Sequence, residues 1–317
     1  MEAQPAGQGP CVRRARDRGS QRDIACFDGE TVPVGHVEWI SRPEVHRPVM
    51  VCAFSGWNDG GEAASTAARY LREELGSTRF ARVDPEEFFD FQVNRPTVRL
   101  VEGVTRRIDW PVNDFAVAHS AGRDLIVFSG TEPNVRWRTY CEAVLEVARS
   151  LEAELLVTLG AFLADVPHTI APPIAVASAD PTWLERPGIV PARYEGPTGI
   201  VGVLHDIAGA AGLPTVSLWG AAPHYLSANA NPRVSLALLE QLRDLLDLEL
   251  DTGRMEGAAR AWLEQVNEAI EEDGNLAGYV RRLEHASEEG EDEEMPSGDD
   301  LAAELERYLR ERGEADP

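Results

Sequence analysis

The chain has 317 residues and a formal net charge of −24 at pH 7. A nucleic-acid backbone requires a basic protein face, so this charge argues against a nucleic-acid partner. All 30 basic residues are arginine, which excludes Schiff-base chemistry, a phosphate-loop lysine and a lysine general base.

Membrane, metal and disulfide signals are absent from the sequence. No stretch of eighteen apolar residues occurs, so no membrane span is predicted. The four cysteines form no C-x-x-C pair, which predicts neither a zinc finger nor a disulfide framework and favours a reducing cytoplasm. H-E-x-x-H is missing and no two histidines are spaced as metal ligands, so neither a metal nor a cofactor is expected.

Composition divides the chain into four predicted segments. Residues 1–42 are polar and rich in arginine, and they predict a disordered or loosely held leader. Residues 43–230 predict an α/β core, and the amphipathic patterns of residues 231–290 predict a helical appendage. Residues 291–317 predict an acidic linker followed by a short terminal helix at 301–312.

Within the core, four apolar runs end in a glycine and predict strands that are buried on both faces. Those glycines are Gly56, Gly130, Gly160 and Gly220. Helical patterns cover residues 59–75, 137–151 and 200–211, residues 172–178 predict a fifth strand, and residues 97–110 predict an inserted β-hairpin. The predicted fold is therefore α/β, with a largely parallel sheet sandwiched by helices.

The loop after the first strand imitates a phosphate-binding loop. Gly56 and Gly61 have the spacing of its first half, but Glu62 and Ala63 stand where lysine and serine or threonine are needed. Asp59 and Glu62 instead form the D-x-x-E pattern of a capping box, in which each side chain accepts from the other residue's N–H. Because both carboxylates would repel a phosphate, we favour helix capping over anion binding.

Ligands of open parallel sheets lie beyond the carboxyl ends of the strands. The candidate pocket residues follow the four glycines or lie in the turn G-P-T-G-I: Trp57, Asn58, Asp59, Glu132, Asn134, His168, Thr198, His224 and Tyr225. Each has an alternative interpretation as a turn, a packed loop residue or a helix start. No catalytic residue is assigned.

Seven motifs in order, over about residues 47–250, resemble the proteasome assembly chaperone 2 family in its actinobacterial form. They are FSGWNDGGEAAS, RPTV…RRIDWP, GTEPNVRW, LGAFLADVPHT, YEGPTGIVGVL, SLWGAAPHY and NANPRVSLALLEQL. The resemblance implies a nucleoside phosphorylase/hydrolase-like α/β domain, an intracellular setting, and a homo-oligomer that is a trimer or larger. It also implies proteasome subunits as candidate partners.

Two departures from the family pattern affect these expectations. Archaeal relatives dock through a C-terminal hydrophobic–Tyr–X tail, whereas this chain ends in Ala315, Asp316 and Pro317, so tail docking is not expected. Ile170 stands where comparable members carry an arginine after the His-Thr pair, which weakens the expectation of a ligand contact there.

Three functional hypotheses remain open. The favoured one is a non-catalytic, oligomeric, chaperone-like protein that binds a cytoplasmic assembly. The alternative is a small-metabolite hydrolase or transferase, with Asp59 and Glu132 as acid or base and with His168 and His224 orienting the substrate. The third is a purely structural protein whose only function is to oligomerise.

Overall fold

The computed structural model describes residues 35–101, 105–186 and 189–289. The strands are β1 (Val37–Trp39), β2 (Val49–Ser55), β3 (Thr78–Val83), β4 (Thr97–Val101), β5 (Thr105–Asp109), β6 (Asn113–Ala118), β7 (Leu125–Thr131), β8 (Leu155–Ala164), β9 (Ile174–Ala177), β10 (Val190–Pro191) and β11 (Thr215–Pro223). The helices are α1 (Ala63–Glu74), α2 (Trp137–Ser150), α3 (Pro181–Leu184), α4 (Ile200–Ala210), α5 (Pro232–Leu246), α6 (Gly253–Glu271) and α7 (Gly274–Glu289).

Nine of the strands form one sheet, in the order β1-β3-β6-β7-β2-β8-β11-β9-β10. The four predicted strands β7, β2, β8 and β11 are adjacent and mutually parallel at its centre. On one side β6, β3 and β1 extend the sheet with antiparallel pairings, and on the other side β9 pairs antiparallel with β11. The predicted α/β class with a parallel centre is confirmed. β9 corresponds to the predicted fifth strand, whereas β1, β3 and β6 and the antiparallel pairings were not predicted.

The alternation of side chains along β2 explains why helices cover both faces of the sheet. Val49, Val51 and Ala53 point to one hydrophobic cluster, which also contains residues of α1 and α5. Met50, Cys52 and Phe54 point to the other cluster, which contains residues of α2 and α4. All of these β2 side chains are at most 1% exposed, as expected of a strand buried on both faces.

The glycines predicted to end the strands have two different roles. Gly56 follows the last residue of β2 and has a φ of +132°, which suits a chain reversal. β8 and β11 instead continue beyond Gly160 and Gly220. A Cβ at Gly160 would lie 2.6 Å from the ring of Trp219, so this glycine permits close packing rather than a turn.

The predicted segment boundaries shift at both ends of the core. β1 lies inside the predicted leader but pairs with β3, so the sheet begins at Val37. α5 lies inside the predicted appendage, yet Leu238, Leu239 and Leu242 are fully buried against the sheet. α5 therefore belongs to the core, and α6 and α7 follow it. The predicted acidic linker and terminal helix lie outside the described residues.

The predicted hairpin is present as β4 and β5, which form a two-stranded sheet of their own. Its turn was predicted around Glu102 and Gly103, and residues 102–104 lie outside the described residues. Among the described helices, none combines the length and apolar character that a membrane crossing requires.

Candidate functional site

The carboxyl ends of β7, β2, β8 and β11 lie at one edge of the sheet, because the four strands are adjacent and parallel. We call this edge, together with the loops that leave it, the rim. Most of the predicted pocket residues lie in these loops, so the sequence was right about a common edge. The residues nevertheless form separate groups, and their hydrogen bonds join members of the same group or nearby backbone.

Glu132 joins two parts of the rim through its carboxylate. Its Oε2 accepts from the backbone N–H of Trp57 at 3.3 Å, and its Oε1 accepts from the backbone N–H of Ile200 at 2.8 Å. Ile200 is the first residue of α4, so the carboxylate satisfies an N–H group that the helix itself leaves unpaired. Both oxygens are thus occupied by the protein's own backbone.

Asn58 lies beside this carboxylate at the start of α4, and Thr198 lies just before that helix, against Gly202. The Asn58 side chain is 6% exposed, and a Cβ at Gly199 would lie 2.0 Å from its Oδ1 and 2.5 Å from Glu132 Oε1. Only glycine fits between the two side chains. Asn58 Oδ1 is buried without a hydrogen-bond partner among the described residues. Thr198 is exposed.

Asp59 caps α1, although not through the predicted capping box. Its Oδ1 accepts from the N–H groups of Ala64 at 2.8 Å and Ser65 at 3.1 Å. Gly61 and Glu62 have φ values of +60° and +49° in a 3-10 turn, so α1 begins four residues later than predicted and Glu62 makes no side-chain cap. Burial raises the pKa of Asp59, and its N–H bonds act in the opposite direction.

Trp57 and Asn134 occupy separate places on the rim. The Trp57 side chain is 53% exposed. Asn134 Oδ1 accepts from the backbone N–H of Asp90 at 2.8 Å and from Asn94 Nδ2 at 2.9 Å. Asn134 therefore fixes the segment that precedes the hairpin and does not join the carboxylate group.

The second group contains His168, Tyr225 and Asn267. The Tyr225 hydroxyl lies 2.8 Å from both the backbone N and the Nδ1 of His168, and His168 Nε2 lies 2.9 Å from Asn267 Oδ1. A neutral His168 protonated at Nε2 satisfies every contact, because Tyr225 then donates to Nδ1 and Nε2–H donates to Asn267. Burial lowers the pKa of His168 and raises that of Tyr225 to about 12.

His224 belongs to the same half of the rim. Its Nδ1 lies 2.8 Å from Asp165 Oδ1, and the Tyr279 hydroxyl donates to the same oxygen at 3.0 Å. Thr169 donates to Glu284 Oε1 at 2.6 Å. The side chains of α6 and α7 therefore hold these helices against the ends of β8 and β11. Sequence reasoning missed Asn267, Tyr279 and Glu284, because nothing in their spacing links them to residues about a hundred positions earlier.

Glu132 and His224 leave the sheet at strands that are not neighbours. They follow β7 and β11, which are three strand positions apart, or about 14 Å at the usual strand spacing. The cavity beside His168 has a volume of ≈ 10 Å³, enough for about one water molecule. The described residues contain no cluster of three or more metal-ligating side chains.

The structure is a mixed α/β sheet covered by helices on both faces, and the polar side chains at its rim bond within the chain. The PAC2 family matches residues 53–270, and the chain belongs to this family. No curated protein matches the chain.

Solved structures agree with this assignment. A PAC2 family protein from Streptomyces avermitilis is 46% identical, with a TM-score of 0.69 over 74% of this chain and 99% of that one. The Mycobacterium tuberculosis proteasome-assembly chaperone homologue Rv2125 is 41% identical, with a TM-score of 0.68 over 73% and 99%. Pyrococcus furiosus PbaB, an archaeal proteasome activator, shares the fold at 19% identity, with a TM-score of 0.60 over 74% and 97%.

Proposed function

We propose that the chain is a non-catalytic, chaperone-like protein that acts as a homo-oligomer in the cytoplasm and binds a protein assembly of the proteasome class. The observation that supports the proposal is that polar and apolar side chains at the rim have different surroundings. Its polar side chains bond within the chain, whereas apolar side chains face outwards. A relative that is 41% identical and is named a proteasome-assembly chaperone homologue supports the choice of partner.

The proposed contact surface is the rim patch, which we define as Trp57, Val135 and Ile170. These side chains are 53%, 47% and 36% exposed, and they follow the ends of β2, β7 and β8. Trp57 is the only one of the three among the residues predicted from the sequence. Large exposed aromatic side chains are common anchors of protein interfaces, so we assign it the central contact.

The alternative function, a small-metabolite hydrolase or transferase, gains no support from the geometry. The Asp59 carboxylate is buried and caps α1, and Glu132 bonds to two backbone N–H groups. Each carboxylate therefore already accepts two hydrogen bonds from the protein's own backbone. His168 is 3% exposed and is bonded on both ring nitrogens.

The test is direct binding of purified proteasome core particles, and separately of their α subunits, to the immobilised full-length chain. Trp57→Asp should weaken binding by roughly tenfold or more, the loss expected when an interface anchor is removed. Val190→Asp is the matched control, because Val190 is 56% exposed but lies on the edge strand β10. Control and wild type should bind alike.

Two outcomes would contradict the proposal. Failure of the wild type to bind either preparation, together with no enrichment of proteasome subunits on the tagged chain in growing and stressed cells, removes the named partner. Equal binding by Trp57→Asp and Val190→Asp removes the rim patch as the contact surface.

A further inference from the structure

The cavity beside His168 is lined mostly by apolar side chains and borders the rim patch. Seven of its ten lining residues are apolar, Ile170 and Trp262 among them. Ile170 is also a member of the rim patch, so the cavity lies at the edge of the proposed contact surface. The three polar lining residues are His168, Asn231 and Arg233. The chemistry of the cavity therefore depends on these three side chains.

Two of the three polar residues are already hydrogen-bonded within the chain. Both ring nitrogens of His168 have a partner. Asn231 Oδ1 accepts from the backbone N–H groups of Arg233 and Val234, and it thereby caps α5. The charged residue that remains in the lining is Arg233.

Arg233 is half-buried and has no carboxylate partner among the described residues. Burial lowers its pKa, and the Tyr225 hydroxyl acts in the opposite direction. Arg72 is the informative comparison, because burial lowers its pKa too. The Asp114 carboxylate compensates Arg72, which also donates to Ser129 Oγ at 2.8 Å. Arg233 is therefore partly desolvated without the compensation that Arg72 receives.

A carboxylate of α7 reaches the same region but bonds elsewhere. Glu284 and Arg233 act in opposite directions on the pKa of both His168 and Tyr225. Glu284 Oε1 accepts from Thr169 Oγ1 at 2.6 Å instead of pairing with Arg233. A positive charge thus stays unpaired at the edge of the rim patch, although the chain has 54 acidic residues against 30 basic ones.

We propose that this cavity is a carboxylate-binding site, in which Arg233 pairs with a carboxylate that the bound protein assembly presents at the Ile170 end of the rim patch. The cavity has room for one oxygen atom of such a group, since its volume fits about one water molecule. Hydrogen bonds between arginine and carboxylate are charge-assisted and stronger than neutral ones. The inference rests on the proposed function and adds the chemistry of one contact.

The surroundings of Arg233 indicate what kind of carboxylate fits. A chain with a net charge of −24 repels a free anion, so the ligand needs further contacts to stay bound. Ile170 and Trp262 supply apolar contacts beside the arginine. The expected ligand is therefore a carboxylate attached to an apolar group, such as an acidic residue or a chain terminus next to an apolar side chain.

The first experiment titrates the full-length chain with N-acetyl-leucine, a carboxylate attached to an apolar group, and with its neutral amide. The measurement is the NMR shift of the Trp262 indole N–H, assigned with Trp262→Phe. The carboxylate should give a saturable shift, and the amide should bind roughly tenfold more weakly or less tightly still, because it lacks the charge-assisted bond.

Arg233→Met tests the arginine in the same titration, since it retains the apolar stem and removes the charge. It should lower the affinity for N-acetyl-leucine by roughly tenfold. The matched control is Arg260→Met, because Arg260 is exposed on α6 two residues before Trp262 and does not line the cavity. This control should bind the probe as the wild type does.

The melting temperature separates a ligand site from a structural role. Arg233→Met should melt at the wild-type temperature or above it, because it removes a half-buried charge that has no carboxylate partner. Binding of proteasome core particles to the same variant should nevertheless fall by roughly tenfold, whereas Arg260→Met should bind like the wild type. A clearly lower melting temperature of Arg233→Met would mean that the arginine stabilises the fold itself, and this would overturn the inference.

The source of the carboxylate is tested in a full-length variant that neutralises four acids after α7: Glu291→Gln, Asp292→Asn, Glu293→Gln and Glu294→Gln. Unchanged probe affinity is expected. Tighter probe binding by this variant would mean that the chain's own acidic segment fills the site, and it would overturn the assignment to a partner.

Two further results would overturn the inference without touching the proposed function. One is equal binding of N-acetyl-leucine and its amide, and the other is equal particle binding by Arg233→Met and the wild type. A wild type that fails to bind the particles removes the proposed partner, while the probe titration still decides whether Arg233 holds a carboxylate.

Discussion

At the β2–β7 half of the rim, the first half, carboxylates accept hydrogen bonds from backbone N–H groups, whereas at the β8–β11 half, the second half, most bonds join two side chains. Asp59 and Glu132 each hold the first turn of a helix in the first half. In the second half, His168 and Tyr225 meet Asn267 of α6, and Asp165 meets Tyr279 of α7.

The difference shows which part of the rim belongs to the folding unit of the sheet. Loss of a helix cap in the first half leaves an N–H group inside the core without its acceptor. The loss therefore lowers the free energy of global unfolding. Loss of a side-chain contact in the second half weakens the packing of the two outer helices, α6 and α7. Opening these helices requires less free energy than unfolding the whole chain. The following predictions measure that contrast.

Asp59→Ala should have the largest effect, a loss of about 2 kcal/mol in the free energy of unfolding. The substitution leaves the buried N–H of Ala64 and the N–H of Ser65 without their acceptor. Urea denaturation should show a lower midpoint with an unchanged slope. Asp59→Asn, which retains an acceptor oxygen, is the control and should lose about half as much or less. Equal losses for the two variants would argue against the cap.

Tyr225→Phe should have a smaller and more local effect, about 1 kcal/mol. The hydroxyl contacts both the backbone N–H and the Nδ1 of His168, and His168 in turn holds Asn267 on α6. Hydrogen exchange should accelerate in α6 and α7 and stay unchanged in β2 and β8.

Tyr194→Phe is the matched control for that experiment. Tyr194 is 37% exposed, and its hydroxyl donates to the carbonyl of Pro197 three residues away. Its exchange pattern should match the wild type. Faster exchange throughout the sheet in Tyr225→Phe would mean that both halves of the rim unfold as one unit.

In the first half of the rim, the cap at Asp59 could be predicted from the sequence because its bond is local, whereas the bonds of Glu132 to Trp57 and Ile200, 75 and 68 residues away, could not. The D-x-x-E pattern identified Asp59 as a cap five residues before its partner Ala64. The pattern was wrong about Glu62, since the positive φ values of Gly61 and Glu62 insert a 3-10 turn before the helix. A hydrogen-bonding pattern does not reveal such a local backbone conformation.

The second half could not be predicted, because its partners are distant in the chain. His168 was selected from its position after a strand, but Asn267 lies 99 residues later and Glu284 lies 115 residues after Thr169. Periodicity identifies the buried face of a helix and says nothing about which loop its polar side chains reach.

The antiparallel strands β3 and β6 were missed for a related reason. β3 carries Arg79 and Arg82 beside its buried residues, and β6 is buried throughout but contains Asn113 and Asp114. A search for continuous apolar runs, which suits central parallel strands, passes over strands that charged and polar residues interrupt.

The smallest predicted effect is a pH dependence in the second half of the rim. Burial lowers the pKa of His168 below the 6.5 of an exposed histidine, so the folded chain resists a proton that the unfolded chain accepts. The stabilisation is complete above pH 6.5 and is lost as the pH falls through the folded-state pKa. Arg233 acts in the same direction, while Asn267 and Glu284 oppose it.

The measurement is the difference in unfolding free energy between the wild type and His168→Gln, at pH 7.5 and at pH 5.5. The many carboxylates of the chain titrate in both proteins and cancel in this difference. The wild type should lose up to about 1 kcal/mol more than the variant on acidification, the linkage expected when one histidine is kept neutral in the fold. Parallel pH profiles would mean that His168 has the same pKa in the folded and the unfolded chain, and burial would then not keep its ring neutral.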